Sequence, residues 1–342
     1  MKKPVVALFP GQGSQHVGMA RELYENFAIV RETFEEASDA IGINLKKLCF
    51  EGPDDELILT ENTQPCLLTA SVAAFRVAQK EIEFKPAVVA GHSLGEYSAL
   101  VAAHAVRLSD AVRWVKARGA AMQQAVPAGN GTMAAVLNLD DSKIEALCHE
   151  ATSIAKSKRA SGDSPELKVE AIVQPANFNA PGQIVIAGST DAVAEAITLI
   201  KSSGAGGDYA GAKAIALSVS APFHCSLMKP ARDRMASLFA AHQKPAALNC
   251  PYVPNRTARI SSEPGVIFEL LVEQVDHPVL WKQSMTALIQ EGFEIGVEFG
   301  PGKVLQGLSK RIAAPLEKPF AMSGVNDVAN FKSFETIWKG LV

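Results

Sequence analysis

Ala87-Val88-Val89-Ala90-Gly91-His92-Ser93-Leu94-Gly95-Glu96-Tyr97 is the stretch on which the reading of this chain turns. Four apolar residues give way to a serine with a glycine two positions away on either side, and an alanine- and leucine-rich run follows from Leu94 to Ala105. A short apolar run closed by turn residues reads as a buried strand, and the longer run reads as a helix. Ser93 therefore occupies a strand-to-helix turn, the pattern of a nucleophile elbow. Small neighbours suit such a turn, because its backbone is strained and its flanks approach closely. A hydroxyl there stands at a helix N-terminus, where negative charge is favoured. Serine is also a preferred N-cap, so an ordinary capped turn accounts for the pentapeptide equally well on its own.

Two further stretches weigh on that choice. Val5 to Phe9 reads as a strand running into Pro10-Gly11-Gln12-Gly13-Ser14-Gln15, a second tight turn. Such a loop can aim a backbone N–H at a neighbouring strand end, as an oxyanion hole requires. Ser220-Ala221-Pro222-Phe223-His224-Cys225 follows the strand-like run Ala214 to Val219. A serine hydroxyl needs a base to become a nucleophile, and histidine is the usual one. His224 is one of seven histidines, so spacing alone does not single it out.

Arg118 stands out by its helical phase. Ser109-Asp110 opens a helix to Val126 with a capping signal. At about 100° per residue, Trp114, Val115, Arg118, Met122, Ala125 and Val126 share one arc, and Arg113, Lys116, Gln123 and Gln124 share the other. An arginine on the apolar side keeps its proton, so it must snorkel outward, pair with a buried carboxylate, or meet an incoming anion.

The ordered blocks resemble the malonyl-CoA:acyl carrier protein transacylases of fatty-acid synthesis and the related acyltransferases of polyketide synthases. The similarity spans nearly the whole chain. It is carried by Phe9–Gln15, Gly91–Tyr97, Arg118-Gly119 with Met122-Gln123, and Asn177-Phe178-Asn179-Ala180-Pro181-Gly182-Gln183. Pro222–Met228 and Gly300-Pro301-Gly302-Lys303-Val304-Leu305 complete it. The resemblance implies that Ser93 carries the acyl group and that His224 is its base, oriented by the backbone carbonyl of Gln274 rather than by a third acidic side chain. It implies an oxyanion hole from the backbone N–H groups of Gln12 and Leu94. Arg118 would then grip the free malonyl carboxylate through two parallel bonds, stronger and more directional than one neutral bond. Phe223, Met122 and Asn179 fall at substrate-binding positions; the Phe223 ring would crowd a methyl-branched malonyl group. An acetyl thioester would leave the guanidinium unpaired, so malonyl is the expected substrate.

The implied reaction is ping-pong transfer from malonyl-CoA, a substrate rather than a cofactor, to the phosphopantetheine thiol of an acyl carrier protein. No cofactor or metal is expected. The alternatives are a serine esterase or thioesterase on an α/β-hydrolase-like core and a trans-acting polyketide synthase acyltransferase. A silent scaffold docking acidic carriers through Lys229, Arg232 and Arg234 is a third.

Composition agrees with an enzyme of this kind: 342 residues with 48% hydrophobic content suffice for about two domains. A net charge of −3 offers no basic footprint for nucleic acid. The five cysteines, Cys49, Cys66, Cys148, Cys225 and Cys250, lack metal-ligand spacing and read as reduced cytoplasmic thiols. Lys2-Lys3 ahead of Val5–Phe9 imitates a secretory signal, but the apolar run is too short, and no window is long enough to span a membrane. A cytoplasmic monomer without membrane or nucleic-acid partners is the expectation. Gly11-Gln12-Gly13 lacks the third glycine of a dinucleotide fingerprint, since His16 stands there. Gly302-Lys303 lacks both ends of a phosphate loop, with Val297 and Val304 in their places.

Between the blocks the predicted order is strand Met133–Leu139, helix Asp141–Ile154, strand Val169–Val173, strand Gln183–Ala187, helix Asp191–Ser202 and strand Lys213–Val219. That is the ferredoxin-like βαββαβ unit. The expected fold is α/β: a large α/β-hydrolase-like catalytic domain with a parallel sheet, residues 1–128 and 219–342, carrying an inserted ferredoxin-like domain, residues 129–218. Ala155–Glu166 and Ser202–Gly211 read as mobile loops.

Overall fold

The structure, a computed structural model, describes residues 3–163, 167–219 and 221–341. The last three residues of the predicted Ala155–Glu166 loop, and Ser220 at the head of the histidine block, lie outside them. The strands are β1 (Val5–Phe9), β2 (Val88–Gly91), β3 (Gly131–Leu137), β4 (Val173–Ala180), β5 (Gln183–Ser189), β6 (Lys213–Ala216), β7 (Tyr252–Val253), β8 (Ile295–Phe299) and β9 (Ala321–Val325). They form a mixed α/β protein with two sheets. Packing divides the chain into two units: Met1–Ala120, His242–Phe268 and Ser284–Val342 make the first, and Ala121–Ala241 with Glu269–Gln283 the second.

The first unit is built on a parallel sheet of order β7-β2-β1-β8-β9. Parallel neighbours need long crossovers, and the Thr60–Ile82 helix lies in the one between β1 and β2. All five residues of β1 are buried, as expected of a central parallel strand covered on both faces. Phe9 stacks into an aromatic cluster with Phe75, Phe84, Phe299, Phe334 and Trp338, the Phe84 and Trp338 rings meeting edge-on at 4.9 Å.

The two turns singled out in the sequence are joined here by absent side chains. In register Phe9 lies opposite Gly91, so both turns leave adjacent strand ends. A Cβ on Gly95 would stand 2.1 Å from the Phe9 carbonyl oxygen, and one on Gly11 would stand 2.5 Å from that of His92. Gly91 is tighter still, with the Gly95 carbonyl oxygen 1.9 Å from where its Cβ would be. The Gly95–Ala102 helix that follows is buried along its whole length, Glu96 and Ser98 included.

The second unit holds an antiparallel sheet of order β4-β5-β3-β6, with the Asp141–Ser161 and Thr190–Ser202 helices in the connections. Ile144, Leu147, Ala151 and Ala155 of the first helix pack with Val136, Ile184, Ile186 and Val193 in one core.

Two expectations for this unit are corrected. The second strand is Val173–Ala180, not Val169–Val173, so Asn177–Ala180 of the resemblance block lie within it. Pro175 lies inside this strand, and β4 is an edge strand with irregular register around Pro175, where a missing N–H is tolerated. Ala155–Ser161 is not loop but the last two turns of the Asp141–Ser161 helix. Its polar composition reflects exposure, and its end is fixed by the Arg159–Asp191 ion pair at 2.6 Å and by left-handed Gly162. Ser202–Gly211 does leave regular structure, yet Tyr209 is buried in the core and donates its hydroxyl hydrogen to Glu150 at 2.7 Å.

Among the described residues no helix is long and apolar enough to cross a membrane. The glycine contacts yield a stability prediction. Gly95→Ala drives a methyl into the β1 backbone, and denaturant unfolding is expected to show a loss of about 3 kcal/mol or more, the upper end of overpacking costs.

Candidate active site

The first unit brings Ser93, Leu94, Arg118 and the Gln12 loop into one construction. Ser93 has a φ of 51°, left-handed for a residue with a side chain, at a cost of about 1–3 kcal/mol. Its amide is held: the Ser93 N–H donates to Oδ1 of Asn255 at 2.6 Å, and Asn255 Nδ2 donates to the Gly91 carbonyl at 2.6 Å. Leu94 follows as the N-cap of the Gly95–Ala102 helix. On the adjoining turn, His92 N–H donates to the Phe9 carbonyl at 3.0 Å. Exposed Gln12 bonds Thr60 through its side chain at 3.4 Å.

Arg118 lies on the buried face of the Leu108–Gln124 helix, with 1% of its surface exposed. Its Nη2 donates to Ser93 Oγ at 3.1 Å, and its Nη1 donates to Gln64 Oε1 at 3.0 Å. The guanidinium carbon sits 5.6 Å from the centre of the Tyr97 ring, whose negative face favours a cation. Burial pushes the guanidinium below its ordinary value against the opposing influence of Tyr97 and Glu96; arginine starts so high that it stays charged. A Cβ on Gly119 would stand 2.7 Å from the Glu61 Cα, so this glycine lets the helix lie against Thr60–Ile82, which carries Gln64. A buried cation thus touches a strained serine.

In the second unit His224 is 4% exposed, with a φ of 60°. Its Nδ1 is 2.8 Å from the carbonyl oxygen of Gln274, on the Ile267–Asp276 helix. A carbonyl can only accept, so Nδ1 carries the hydrogen, and in the neutral imidazole Nε2 keeps its lone pair. Phe223 and Met122 are buried and Asn179 is half-buried on β4. Among the scaffold candidates, Arg232 pairs with Asp276 at 3.2 Å and Arg234 bonds Gln124 at 3.2 Å, while Lys229 is exposed.

Two residues of the site escaped sequence reading. Gln64 is a polar residue on a helix whose neighbours Thr63 to Phe75 are all buried, and that placement was its only signal. Asn255 follows the two-residue strand β7, too short to be recognised from periodicity. The Gly300–Leu305 block also has a physical account. Glu298, fully buried, accepts the N–H groups of Leu305 and Gln306 at 3.1 Å each, occupying the helix N-terminus that a phosphate loop would offer to its ligand. Burial raises that carboxyl above its usual range.

Residues 6–318 match the acyl transferase domain family. The malonyl CoA-acyl carrier protein transacylase of Salmonella typhimurium is 45% identical over 321 residues, covering 92% of this chain and 96% of its own. The crystal structure of an acyl-carrier-protein S-malonyltransferase from Burkholderia pseudomallei superposes with a TM-score of 0.86 at 41% identity, covering 97% of this chain and 99% of that one. A malonyl-transacylase in complex with its type II polyketide synthase acyl carrier protein gives a TM-score of 0.85 at 40% identity, covering 96% and 98%.

Cys225, beside the histidine, has the opposite character of a reactive thiol. It is buried, its Sγ donates to the Pro222 carbonyl at 3.1 Å, and burial pushes it up to about 12. The thiolate is the reactive form, so at neutral pH it is all but absent. Iodoacetamide at pH 8 is expected to leave Cys225 unmodified in the folded protein and to label it after denaturation, read by peptide mass spectrometry.

Proposed function

The chain belongs to the acyl transferase domain family, and we propose that it moves a malonyl group from malonyl-CoA to the phosphopantetheine thiol of an acyl carrier protein. The observation that carries this reading is the buried Arg118 guanidinium donating to the hydroxyl of left-handed Ser93. A hydrolase of simple esters has no use for a buried cation at its nucleophile, whereas a substrate ending in a carboxylate does.

The steps follow from the groups. His224 Nε2 takes the proton of Ser93 as Oγ attacks the thioester carbonyl, and the oxyanion is met by the amides of Gln12 and Leu94. The intermediate collapses, the C–S bond breaks, and CoA leaves as a thiol with the proton that His224 held. The carrier's thiol then gives its proton to His224 and attacks the malonyl-serine, and Ser93 recovers the proton as the ester breaks. Gln274 holds the imidazole through its carbonyl. Arg118 binds the malonyl carboxylate, with Gln64 fixing the plane of the guanidinium; Phe223, Met122 and Asn179 complete the substrate surface. No cofactor enters any step.

The finer architecture belongs to the same reading. The parallel sheet with its elbow is α/β-hydrolase-like, residues 1–128 and 219–342, and the βαββαβ segment, residues 129–218, is an inserted ferredoxin-like domain. The protein works as a cytoplasmic monomer, on carrier and CoA ester rather than on nucleic acid or membrane.

Incubation with labelled malonyl-CoA in EDTA, with and without a holo carrier of fatty-acid synthesis, is the direct test. Label is expected on the carrier when it is present and on Ser93 when it is not, with none in Ser93→Ala. Free malonate as the main product in both tubes would assign the protein to the thioesterases. Arg118→Ala is expected to slow malonyl transfer by about 100-fold or more, with acetyl transfer falling less or rising. Equal losses for both acyl groups in steady-state assays would make Arg118 a structural residue.

A further inference from the structure

We infer that Asn255 is the positioning residue of the nucleophile, holding the Ser93 backbone in its left-handed conformation and reserving the oxyanion hole for other amides. The inference rests on Ser93 being the acylated residue.

Asn255 has no exposed surface and sits two positions past β7, which pairs with β2. Its side-chain amide closes a ring over two residues of the elbow: Oδ1 accepts from the Ser93 N–H and Nδ2 donates to the Gly91 carbonyl, each at 2.6 Å. The demands at the two ends are opposite. An N–H needs an acceptor and a C=O needs a donor, so the amide orientation is set by its partners. A carboxylate of the same shape offers acceptors only and would face the Gly91 oxygen with like charge. The Asn255 backbone is itself tied down, its N–H donating to Glu96 Oε2 at 3.0 Å, and Glu96 lies buried in the first turn of the helix that Ser93 introduces. Strand end, nucleophile and helix are thereby clamped through one residue from a different part of the chain.

Two consequences follow for the reaction. A φ of 51° at Ser93 is retained only if surrounding bonds over-determine it, and these are such bonds. The Ser93 amide, already donating, does not contribute to the oxyanion hole, and the next donor along the chain is Leu94.

The test uses Asn255→Asp, which keeps volume and one acceptor but loses the donor, and Asn255→Ala. Rapid-quench labelling with malonyl-CoA, without carrier, separates amplitude from rate constant, and a fluorophosphonate that phosphonylates activated serines gives a second rate on the same hydroxyl. Both variants are expected to reach about one label per folded chain with rate constants lowered about 100-fold, the scale of an ångström misplacement, and the Asp variant is expected to be no faster than the Ala variant. A wild-type rate constant in Asn255→Asp, or reduced amplitude with an unchanged rate constant, would overturn the inference. If the wild type reacts at Ser93 with the fluorophosphonate but not with malonyl-CoA, the proposed substrate fails while the fluorophosphonate rates still decide the role of Asn255. Reaction with neither probe overturns both.

Discussion

The distance between backbones at the end of β1 and β2 is the constraint from which the site grows. Gly11, Gly91 and Gly95 lie so close to the backbone of His92, Gly95 and Phe9 that no Cβ fits at any of the three. That approach is affordable only because glycine stands at 11, 91 and 95, and it brings the Gln12 loop and the Ser93 turn onto adjacent strand ends. The buried aromatic cluster around Phe9 holds the first of those ends from below. The sheet is in this sense the rigid part and the two turns its working edge, the usual division in folds whose chemistry sits at the carboxyl ends of parallel strands.

A cation buried against the nucleophile is the second determinant. Taking a guanidinium out of water is costly unless its hydrogens are met, and here they are shared between Gln64, Ser93 and the face of Tyr97. None of these is a full counter-charge. The proposed selectivity for dicarboxylic thioesters rests on this buried guanidinium, placed in hydrogen-bond reach of the nucleophile.

What could be read from the chain and what could not divides along the range of the forces. Ser93 and Gly91 were legible because a strand, a turn and a helix follow one another within a dozen residues, and Arg118 because helical phase is local. β1 was read to the residue. Residues whose role depends on contacts between distant segments were not legible: Asn255 meets Ser93 across 162 positions and Gln64 meets Arg118 across 54. Misreadings had the same origin. The strand expected at Val169–Val173 lies at Val173–Ala180, where Pro175 is tolerated because β4 is at a sheet edge. The tail of the Asp141–Ser161 helix looked like loop because its composition reports solvent exposure, whereas Arg159 is held by Asp191 from the next helix. The resemblance to a known family supplied Gln274, for no local pattern marks a residue that acts through its main chain.

That last contact has an evolutionary corollary. Because the imidazole of His224 leans on a peptide oxygen, the letter at position 274 can change without erasing that acceptor. Only a change in the path of the Ile267–Asp276 helix removes it. Selection on that orientation is thus written into a helical trajectory instead of a codon, which makes it robust to point substitution and vulnerable to insertions or deletions nearby.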